Sequence, residues 1–357
     1  MSDRPISERP ISERPIAERP ISERQGQIED FLADVGWTGA AHAPLAGDAS
    51  FRRYERVTLD GKTAVLMDAP PPGEDVGPFV RITRHLRDMG YSAPELLAEN
   101  EYTGFLLLED LGDATYTKAL AAGADEVELY TRAVDLLINL HGRHPTAELP
   151  SGIETYSEQK LMEEAALFVD WYLPNLIGIP TDPIFRHEYE DIWRGLLAFA
   201  GRGEPTLVLR DFHADNLMWL PERSGIAACG LLDYQDAVLG SQAYDLMSLL
   251  EDARRDLRGG LAAHLLEHYR AAFPGVDWPQ FQTVYTILAA QRHCKVIGIF
   301  TRLALRDDKY DYLGHIPRVW TLLDRACRHP LLARLKTWLD QHVPEEKRRS
   351  AMHGVSV

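Results

Sequence analysis

The sequence contains few cysteines and no long hydrophobic run. Its three cysteines, Cys229, Cys294 and Cys327, lie far apart, which excludes a disulfide framework and a Cys-x-x-Cys zinc or redox motif. No uninterrupted apolar stretch approaches the roughly 20 residues that a membrane helix needs, and the N-terminus has no apolar signal core. We therefore expect a cytoplasmic protein with reduced, buried thiols and no membrane contact.

Positive charge is also scarce. The chain has 38 Lys and Arg residues against 54 Asp and Glu residues, a formal net charge of −16. A general nucleic-acid binder needs a basic surface, so this class is excluded. The HExxH, GxSxG and GxxxxGK[ST] motifs are absent as well, which leaves zinc proteases, serine hydrolases of the elbow type and Walker-type nucleotide binders unsupported. We expect a monomer that acts on a small molecule and binds no nucleic acid.

The first 25 residues differ from the rest. They repeat a five-residue unit, Arg-Pro-Ile-Ser-Glu, with a proline in each repeat and opposite charges that cancel. Proline at this spacing prevents a helix, and four isoleucines cannot offset the entropy of ordering the chain. We predict that residues 1–25 form a disordered arm, and that residues 346–357 form a flexible tail.

The whole chain has 357 residues, and the part after the first 25 is long enough for two lobes. Residues 26–112 are rich in strand patterns, with strands expected at 50–58, 63–67 and 104–109 and a hairpin turn at Asp60-Gly61. Residues 113–345 are rich in helix patterns. Helices are expected near Gln27, at 79–89 and from Asp125 onward, and further at 157–173, 185–200, 243–256, 258–272, 279–304 and 317–339. The prediction is an α+β fold with a small β-rich N-lobe and a larger α-rich C-lobe.

Three separated polar residues carry the strongest chemical signal. Asp211 follows a short apolar strand, Asn216 comes five positions later, and Asp233 follows a second short strand, Gly230–Leu232. A strand–loop–strand of this length places all three around one cavity. Phosphoryl transfer uses such a set, because one Asp orients the attacking hydroxyl while an Asn oxygen and a second Asp hold Mg²⁺ against nucleotide phosphates.

The Asp-x₄-Asn pattern alone is weak. It occurs a second time at Asp170 and Asn175, where the chain is expected to end a helix and no strand with an Asp follows. We interpret that copy as a solvated helix end, and the alternative for the Asp211 copy is a loop with capping carboxylates.

At these residues the chain resembles the aminoglycoside phosphotransferase family, which has a protein-kinase-like fold. The family motif His-Gly-Asp-x₄-Asn corresponds to Leu209-Arg210-Asp211 and Asn216, and its metal-binding Ile-Asp corresponds to Leu232-Asp233. The resemblance extends over roughly residues 30–320 and implies ATP and Mg²⁺ as cofactors. It implies that Asp211 is catalytic and that Asn216 and Asp233 bind the metal.

More narrowly, six segments resemble the bacterial N-acetylmuramate/N-acetylglucosamine anomeric kinases of cell-wall recycling: GDASFRRY, VLMDAP, LLLEDLGD, LRDFHADN, LDYQDA and QRHCKVIGIF. That resemblance implies ATP-dependent phosphorylation of the C1 hydroxyl of an amino sugar. The product would be a sugar 1-phosphate for peptidoglycan recycling.

The resemblance also implies a nucleotide site in the N-lobe. Adenine is expected against Leu108, Glu109, Asp110 and Leu111, and the phosphates against the loop Gly47, Asp48, Ala49, Ser50 and Phe51. The family has a phosphate-binding lysine at the end of the third strand, where this chain has Met67. Methionine offers no charge to a phosphate. Arg52 and Arg53 are the nearest basic candidates, and because adjacent strand residues face opposite sides, only one of them is expected to point at the nucleotide.

The residues that contact the sugar are less well defined. Candidates near the catalytic segment are His213, Gln235 and Asp236, and Trp171 is a candidate for stacking on the sugar ring. Arg292 and Lys295 lie in an otherwise apolar helix and share one face of it. They suit the lactyl carboxylate of N-acetylmuramate, but an ion pair that holds two helices together is an equally open interpretation.

The sequence thus predicts a small-molecule kinase that phosphorylates N-acetylmuramate and N-acetylglucosamine. Two alternatives remain at this point. The excess negative charge suits an amino-alcohol or aminoglycoside acceptor, and the methionine at position 67 suits a nucleotide-binding regulator without catalysis.

Overall fold

The computed structural model describes residues 21–45, 52–143 and 149–350. The N-lobe contains helices α1 (Ile21–Asp34) and α2 (Gly77–Asp88) and strands β1 (Ala41–Pro44), β2 (Arg53–Leu59), β3 (Lys62–Asp68), β4 (Leu96–Asn100) and β5 (Phe105–Glu109). The five strands form one antiparallel sheet in the order β1-β2-β3-β5-β4.

Strands β2 and β3 form the hairpin that the sequence predicts. Asp60 and Gly61 both have positive φ, 51° and 78°, as two-residue hairpin turns require. Tyr54 lies directly opposite Met67 in the register. Opposite residues of an antiparallel pair share one face of the sheet, so these two side chains lie on the same side. The register therefore shows which N-lobe side chains share the face of the sheet that carries Met67.

The two faces of this sheet pack differently. One face of the sheet packs against α1. The apolar cluster between them consists of Ile28, Phe31, Leu32, Val57, Ala64, Leu66, Phe105 and Leu107. The other face, which carries Met67, Leu106 and Leu108, joins a core that continues through α2 into the C-lobe. The second face is therefore the one turned toward the catalytic segment.

The C-lobe is mainly helical. Its helices are α3 (Tyr116–Ala121), α4 (Glu126–His141), α5 (Glu158–Leu167), α6 (Pro183–Leu197), α7 (Ala243–Leu250), α8 (Leu261–Ala272), α9 (Trp278–Arg306), α10 (Ile316–Ala326), α11 (Ala333–His342) and α12 (Glu345–Ser350), with a π-helical segment at Phe168–Ile177. Its strands are β6 (Pro205–Val208), β7 (Leu217–Trp219), β8 (Cys229–Leu231) and β9 (Val238–Ser241), which pair as β6-β9 and β7-β8.

Helix α9 runs through the centre of the C-lobe. Residues 287–298 are buried on every side, as in a helix that lies in a core rather than on a surface. A Cβ at Gly298 would lie 2.3 Å from the carbonyl carbon of Leu167. Only glycine therefore allows α9 to approach the end of α5 this closely, and the approach brings the polar residues of the two helices together.

Several predicted boundaries were wrong. Residues 21–25, assigned to the disordered arm, begin α1, because the Arg24 guanidinium bonds Asp68 at 2.6 Å and lies 3.8 Å over the Phe105 ring. Residues 346–350, assigned to the flexible tail, belong to α12. Residues 1–20 and 351–357 lie outside the described residues.

Three long predicted helices are shorter or divided. The helix predicted at 243–256 ends at Leu250, and the helix predicted at 157–173 changes to π-helical geometry at Phe168. The helix predicted at 317–339 is two helices separated by a 3₁₀ turn at Pro330–Leu332, because proline has no N–H for the helical ladder.

No helix in the described ranges combines the length and the hydropathy of a membrane-spanning segment. All three cysteines are free and buried, as predicted.

Candidate active site

The segment after β6 bends sharply before Asp211. Arg210 has a φ of 69°, in the left-handed region that favours glycine. Asp245 on α7 stabilises this bend, because its carboxylate accepts the N–H groups of Leu209 at 2.6 Å and Arg210 at 2.9 Å. Burial raises the pKa of Asp245 to about 7, while these two hydrogen bonds act in the opposite direction. The bend immediately precedes Asp211, whose side chain faces Arg292 on α9.

Asp211 is partly exposed to solvent and lies close to positively charged side chains. Its side chain is 37% exposed, so a substrate can reach it, and its Oδ1 lies 3.6 Å from Arg292 Nη1. Desolvation acts to raise the pKa of Asp211, but the charges of Lys295 and Arg292 lower it to about 2. The group is therefore a carboxylate at neutral pH, suited to accept a hydrogen bond from a hydroxyl.

Asn216 and Asp233 lie side by side next to Asp211. Asn216 Nδ2 donates to the Asp211 carbonyl at 3.0 Å and approaches Asp233 Oδ2 at 3.3 Å. The pairing of β7 with β8 brings them together, because Asn216 immediately precedes β7 and its carbonyl accepts the Leu232 N–H at 2.9 Å. The structure thus brings together the three residues that the sequence singles out.

The oxygen atoms of Asn216 and Asp233 form a donor set that fits Mg²⁺, which takes few protein oxygens and keeps several waters. The Asn216 amide nitrogen bonds the Asp211 carbonyl and Asp233 Oδ2, which leaves its Oδ1 as the atom of this side chain that can accept a cation. No group of three or more His, Cys, Asp or Glu side chains suited to a metal occurs in the described part of the chain. The amide of Asn216 and the carboxylate of Asp233 are therefore the metal ligands to test.

Tyr234 links the Asp233 loop to the N-lobe. Its hydroxyl lies 2.7 Å from Thr83 Oγ1 on α2, and its ring stacks on Phe79 with centroids 5.3 Å apart. Asp233 itself has a φ of 57°, an unfavourable conformation that surrounding contacts must hold. Tyr234 is a positioning residue that the sequence analysis missed, since nothing in the sequence pairs it with a helix 151 residues away.

Two of the predicted sugar contacts, His213 and Gln235, border the Asp211, Asn216 and Asp233 group. His213 Nε2 faces Asn216 Nδ2 at 3.4 Å and Arg254 Nη1 at 3.5 Å. Both neighbours are donors, so Nε2 is the acceptor and Nδ1 carries the proton. Burial and the charge of Arg254 lower the pKa of His213, and its buried Nδ1 has no hydrogen-bond partner among the described residues.

Gln235 and Asp236 follow the Asp233 bend. Gln235 Nε2 donates to Asp233 Oδ1 at 2.8 Å, so this amide holds the carboxylate. The Asp236 side chain is exposed, and its carbonyl oxygen lies 3.4 Å from Arg210 Nη1. The structure therefore shows Gln235 supporting Asp233, and it leaves Asp236 at the surface of the loop.

Arg292 and Lys295 both have acidic partners inside the protein. Arg292 is 7% exposed and faces Asp211, and Lys295 is 4% exposed and lies 3.0 Å from Glu164 Oε1 on α5. The Lys295–Glu164 contact joins two helices, as the second interpretation of the sequence has it, whereas Arg292 contacts the loop that carries Asp211. Glu164 is a further residue that the sequence analysis missed.

Two N-lobe arginines, Arg52 and Arg56, belong to the side of the sheet that carries Met67, and Arg56 lies opposite Val65 and bonds Asp110. Arg53 pairs with Asp68 in the β2–β3 register and is exposed on the face that covers α1. Arg52, one residue earlier, lies on the opposite face, which it shares with Met67, and its Nε bonds Glu74 Oε2 at 3.0 Å. Met67 is fully buried. The predicted phosphate loop, Gly47–Phe51, lies outside the described residues.

The segment predicted to receive adenine connects the two lobes. Leu108 is buried, and the Glu109 N–H donates to the Glu95 carbonyl at 2.8 Å. The first backbone N–H beyond the sheet is therefore that of Asp110, whose side chain bonds Arg56 at 2.7 Å. Leu111 packs near Gly230 of β8, where an added Cβ would lie 3.4 Å from it.

Trp171 lies elsewhere. It is half-buried in the π-helical segment, and its carbonyl accepts Asn175 Nδ2 at 2.7 Å. In the described residues no hydrogen bond, ion pair or ring contact joins it to Asp211, Asn216 or Asp233. The second Asp-x₄-Asn copy is at this helix end, and its Asp170 forms an ion pair with Arg186.

Comparison with known proteins shows the family to which the chain belongs. The model of the phosphotransferase enzyme family (APH) matches residues 42–282. The N-acetylmuramate/N-acetylglucosamine kinase of Caulobacter vibrioides is 37% identical over 360 residues, which cover 91% of this chain and 98% of that protein. The protein of the same name from Pseudomonas aeruginosa is 36% identical, with 86% of this chain and 90% of that protein covered.

Solved structures confirm the two-lobed α+β fold. A choline/ethanolamine kinase family protein from Mesorhizobium loti aligns with a TM-score of 0.57 at 15% identity, covering 89% of this chain and 99% of that one. The gentamicin complex of APH(2″)-IIa aligns with a TM-score of 0.57 at 16% identity, covering 83% and 97%. At these identities the likeness concerns the fold alone.

Proposed function

This chain belongs to the phosphotransferase enzyme family, and from that premise we propose that it transfers the γ-phosphoryl group of ATP to the anomeric (C1) hydroxyl of N-acetylmuramate and N-acetylglucosamine. The identity of 33–37% to four relatives named for these two sugars supports the acceptor. The product would be a sugar 1-phosphate, and peptidoglycan recycling in the cytoplasm is the role that this product suits.

One observation carries the proposal: Asp211, Asn216 and Asp233 converge although up to 22 positions separate them in the chain. Two of the three lie in or next to strained left-handed backbone. Strain of this kind persists where surrounding contacts impose it, which is typical of active sites.

Asp211 is the residue that we assign to the sugar hydroxyl. Because nearby cations keep it ionised, it accepts the hydroxyl hydrogen bond and directs an oxygen lone pair toward the phosphorus atom. Its low pKa makes it a weak base, so most of its contribution comes from orientation. As the new phosphorus–oxygen bond forms, the bond between the γ-phosphorus and the ADP oxygen breaks, ADP leaves, and the hydroxyl proton passes to the Asp211 carboxylate.

Asn216 and Asp233 are the proposed ligands of Mg²⁺, with Gln235 holding the Asp233 carboxylate. When bound, the metal neutralises charge on the transferring phosphates. The protein's own contribution is to keep the two oxygen donors adjacent before the nucleotide arrives.

Arg52 is the proposed substitute for the lysine that β3 lacks. It lies on the cleft-facing side of the sheet beside Met67, and Glu74 holds its guanidinium. An arginine on the neighbouring strand can present charge at the place where a lysine on β3 would. Adenine would lie against the segment from Leu108 to Leu111, and the loop Gly47–Phe51 would cover the phosphates.

We assign His213 to the binding of the sugar. Its protonated Nδ1 is a buried donor without a protein partner in the described residues, and an acceptor oxygen of the sugar would satisfy it. Asp236 is the second candidate, because its exposed side chain follows the metal-binding turn.

The test is phosphorus NMR of the product formed from ATP, Mg²⁺ and N-acetylmuramate. We expect a phosphomonoester signal coupled to the anomeric proton, and the same with N-acetylglucosamine. A phosphate on another carbon would refute the anomeric assignment.

A panel of acceptors in the same assay separates the amino sugars from the two alternatives. ADP release with choline, ethanolamine or an aminoglycoside, but not with the sugars, would replace the proposed substrate. ATP binding without ADP release for any acceptor would identify a regulator.

A further inference from the structure

Glu164 is the centre of a buried polar cluster behind the catalytic segment. Its Oε1 lies 2.5 Å from Arg210 Nη2 and 3.0 Å from Lys295 Nζ, and its Oε2 accepts the Tyr156 hydroxyl and lies 3.4 Å from Gln291 Nε2. The Glu164 side chain is 12% exposed. Burial acts to raise its pKa, but Lys295 and Arg210 keep it low. A carboxylate thus joins α5, α9 and the segment before Asp211.

Arg210 is the member of this cluster that touches two loops. Its Nη2 bonds Glu164, its Nη1 lies 3.4 Å from the Asp236 carbonyl, and its guanidinium lies 5.5 Å over the Tyr156 ring. It therefore connects the loop of Asp211 with the loop of Asp233. Its backbone φ of 69° is one that glycine adopts at lower cost.

A strained arginine at this position is informative because glycine would adopt the same backbone conformation without strain. Burying an ion pair incurs a desolvation penalty that often cancels its attraction, and the backbone conformation adds to the cost. Stability alone therefore does not account for Arg210. The bridge between the two loops is a contact that glycine cannot make.

We propose that Glu164 is a positioning residue which, through Arg210, sets the loop carrying Asp211 against the loop carrying Asp233. The inference rests on the proposed phosphoryl transfer at this site. It predicts that the Glu164–Arg210 pair acts on the catalytic rate and on the metal requirement, and that the binding of adenine in the N-lobe does not depend on it.

Helix packing holds Glu164 in this place. Gly298 allows α9 to approach Leu167 at the end of α5, one turn of helix away from both Lys295 and Glu164. The two helices therefore meet at a fixed register, with the Lys295 ammonium against the Glu164 carboxylate.

The experiment compares Glu164→Gln with Glu163→Gln and adds Arg210→Gly. Glu163 is the exposed neighbour on α5 and serves as the matched control. For Glu164→Gln we expect kcat to fall about 10- to 100-fold, the cost of a small misplacement of reacting groups. The Mg²⁺ concentration for half-maximal rate rises, while KM for ATP stays within about twofold of the wild type.

Arg210→Gly separates positioning from folding. Glycine relieves the backbone but removes one of the two cations that pair with Glu164, so we expect a protein that still folds, with Lys295 as the remaining partner, and whose kcat falls and Mg²⁺ requirement rises as in Glu164→Gln. Arg210→Gly with full kcat and an unchanged Mg²⁺ requirement would overturn the proposal, and so would equal effects of Glu164→Gln and Glu163→Gln.

A failure of the proposed function would look different, because the wild-type protein itself would then phosphorylate no sugar. In that case calorimetric binding of ADP, with and without Mg²⁺, tests the inference on the same proteins. Weaker binding of Mg²⁺-ADP by Glu164→Gln and Arg210→Gly, with metal-free ADP unaffected, supports it. Unchanged Mg²⁺-ADP binding overturns it.

Discussion

The two sides of the cleft are built in different ways. On the C-lobe side, Asp211 and Asp233 lie on bends that Asp245, Gln235 and Tyr234 hold through hydrogen bonds and buried rings. On the N-lobe side, Arg52, next to the start of β2, pairs with Glu74. The first arrangement depends on residues at defined positions, whereas the second depends mainly on which face of the sheet a cation occupies.

This difference bears on the proposal that Arg52 replaces the lysine absent from β3. The end of β3 pairs with the start of β2, so side chains at these two places can share one face of the sheet. A cation at either place could therefore bind a phosphate. Asp211 has no such substitute, because only the bend at Arg210 directs a carboxylate to that place. The predictions below test this contrast, beginning with the largest expected effect.

Removal of the catalytic carboxylate is expected to have the largest effect. Asp211→Ala loses the group that orients the hydroxyl, and we expect kcat to fall roughly 10²- to 10⁴-fold with nucleotide binding intact. Steady-state rates and ADP calorimetry measure the two quantities. Asp170→Ala, in the second Asp-x₄-Asn copy, serves as the control and should keep full activity. Full turnover by Asp211→Ala would end the assignment.

The metal requirement should respond to Asp233. Asp233→Asn keeps the shape of the side chain but removes its charge, so we expect the Mg²⁺ concentration for half-maximal rate to rise by about tenfold or more. A Mg²⁺ titration of the initial rate measures this, after treatment with a chelator has removed bound metal. An unchanged titration curve would show that Asp233 is not a ligand.

On the N-lobe side we expect a smaller and more selective effect. Arg52→Gln removes a charged hydrogen-bond donor, worth about 1.5–3 kcal/mol, so KM for ATP should rise roughly 10- to 100-fold while KM for the sugar changes little. Arg53→Gln is the matched control on the opposite face of the same strand. Equal effects of the two substitutions would contradict the assignment of Arg52.

The smallest effect is expected at Met67. This side chain is fully buried between Tyr54 and Leu106 in the sheet register, so it contributes packing. Met67→Leu conserves volume and should lower the free energy of unfolding by less than about 1.5 kcal/mol. KM for ATP should remain at the wild-type value. A marked rise in that KM would show that position 67 contacts the nucleotide.

Much of the fold follows from sequence periodicity. The hairpin at Asp60-Gly61, strand β5 and the long helices α4 and α9 have strong patterns and lie where they are predicted. The short strands β1, β4, β7 and β9 were missed, because three to five residues hold too little pattern to distinguish them from loops. The end of α7 and the division at Pro330 were missed because helical periodicity continues past them.

The candidate site was predicted unevenly. Spacing and residue type were enough to single out Asp211, Asn216 and Asp233, whereas Glu164 and Glu74 carry no sequence signal because each acts through a partner far away in the chain. Trp171 was predicted to stack on the sugar from its residue type alone, and in the described residues its carbonyl accepts a hydrogen bond from the Asn175 side chain.

The sequence by itself determined the order of strands and helices, the polar residues of the catalytic segment and the lack of a lysine at the end of β3. Only the tertiary structure decided that Arg52 rather than Arg53 faces the cleft, and that Arg292 and Lys295 pair with carboxylates inside the protein. The physical reason is that adjacent residues of a strand point to opposite faces of the sheet, but the sequence does not say which face is turned toward the site. Partners for buried charges come from elements that only packing brings together.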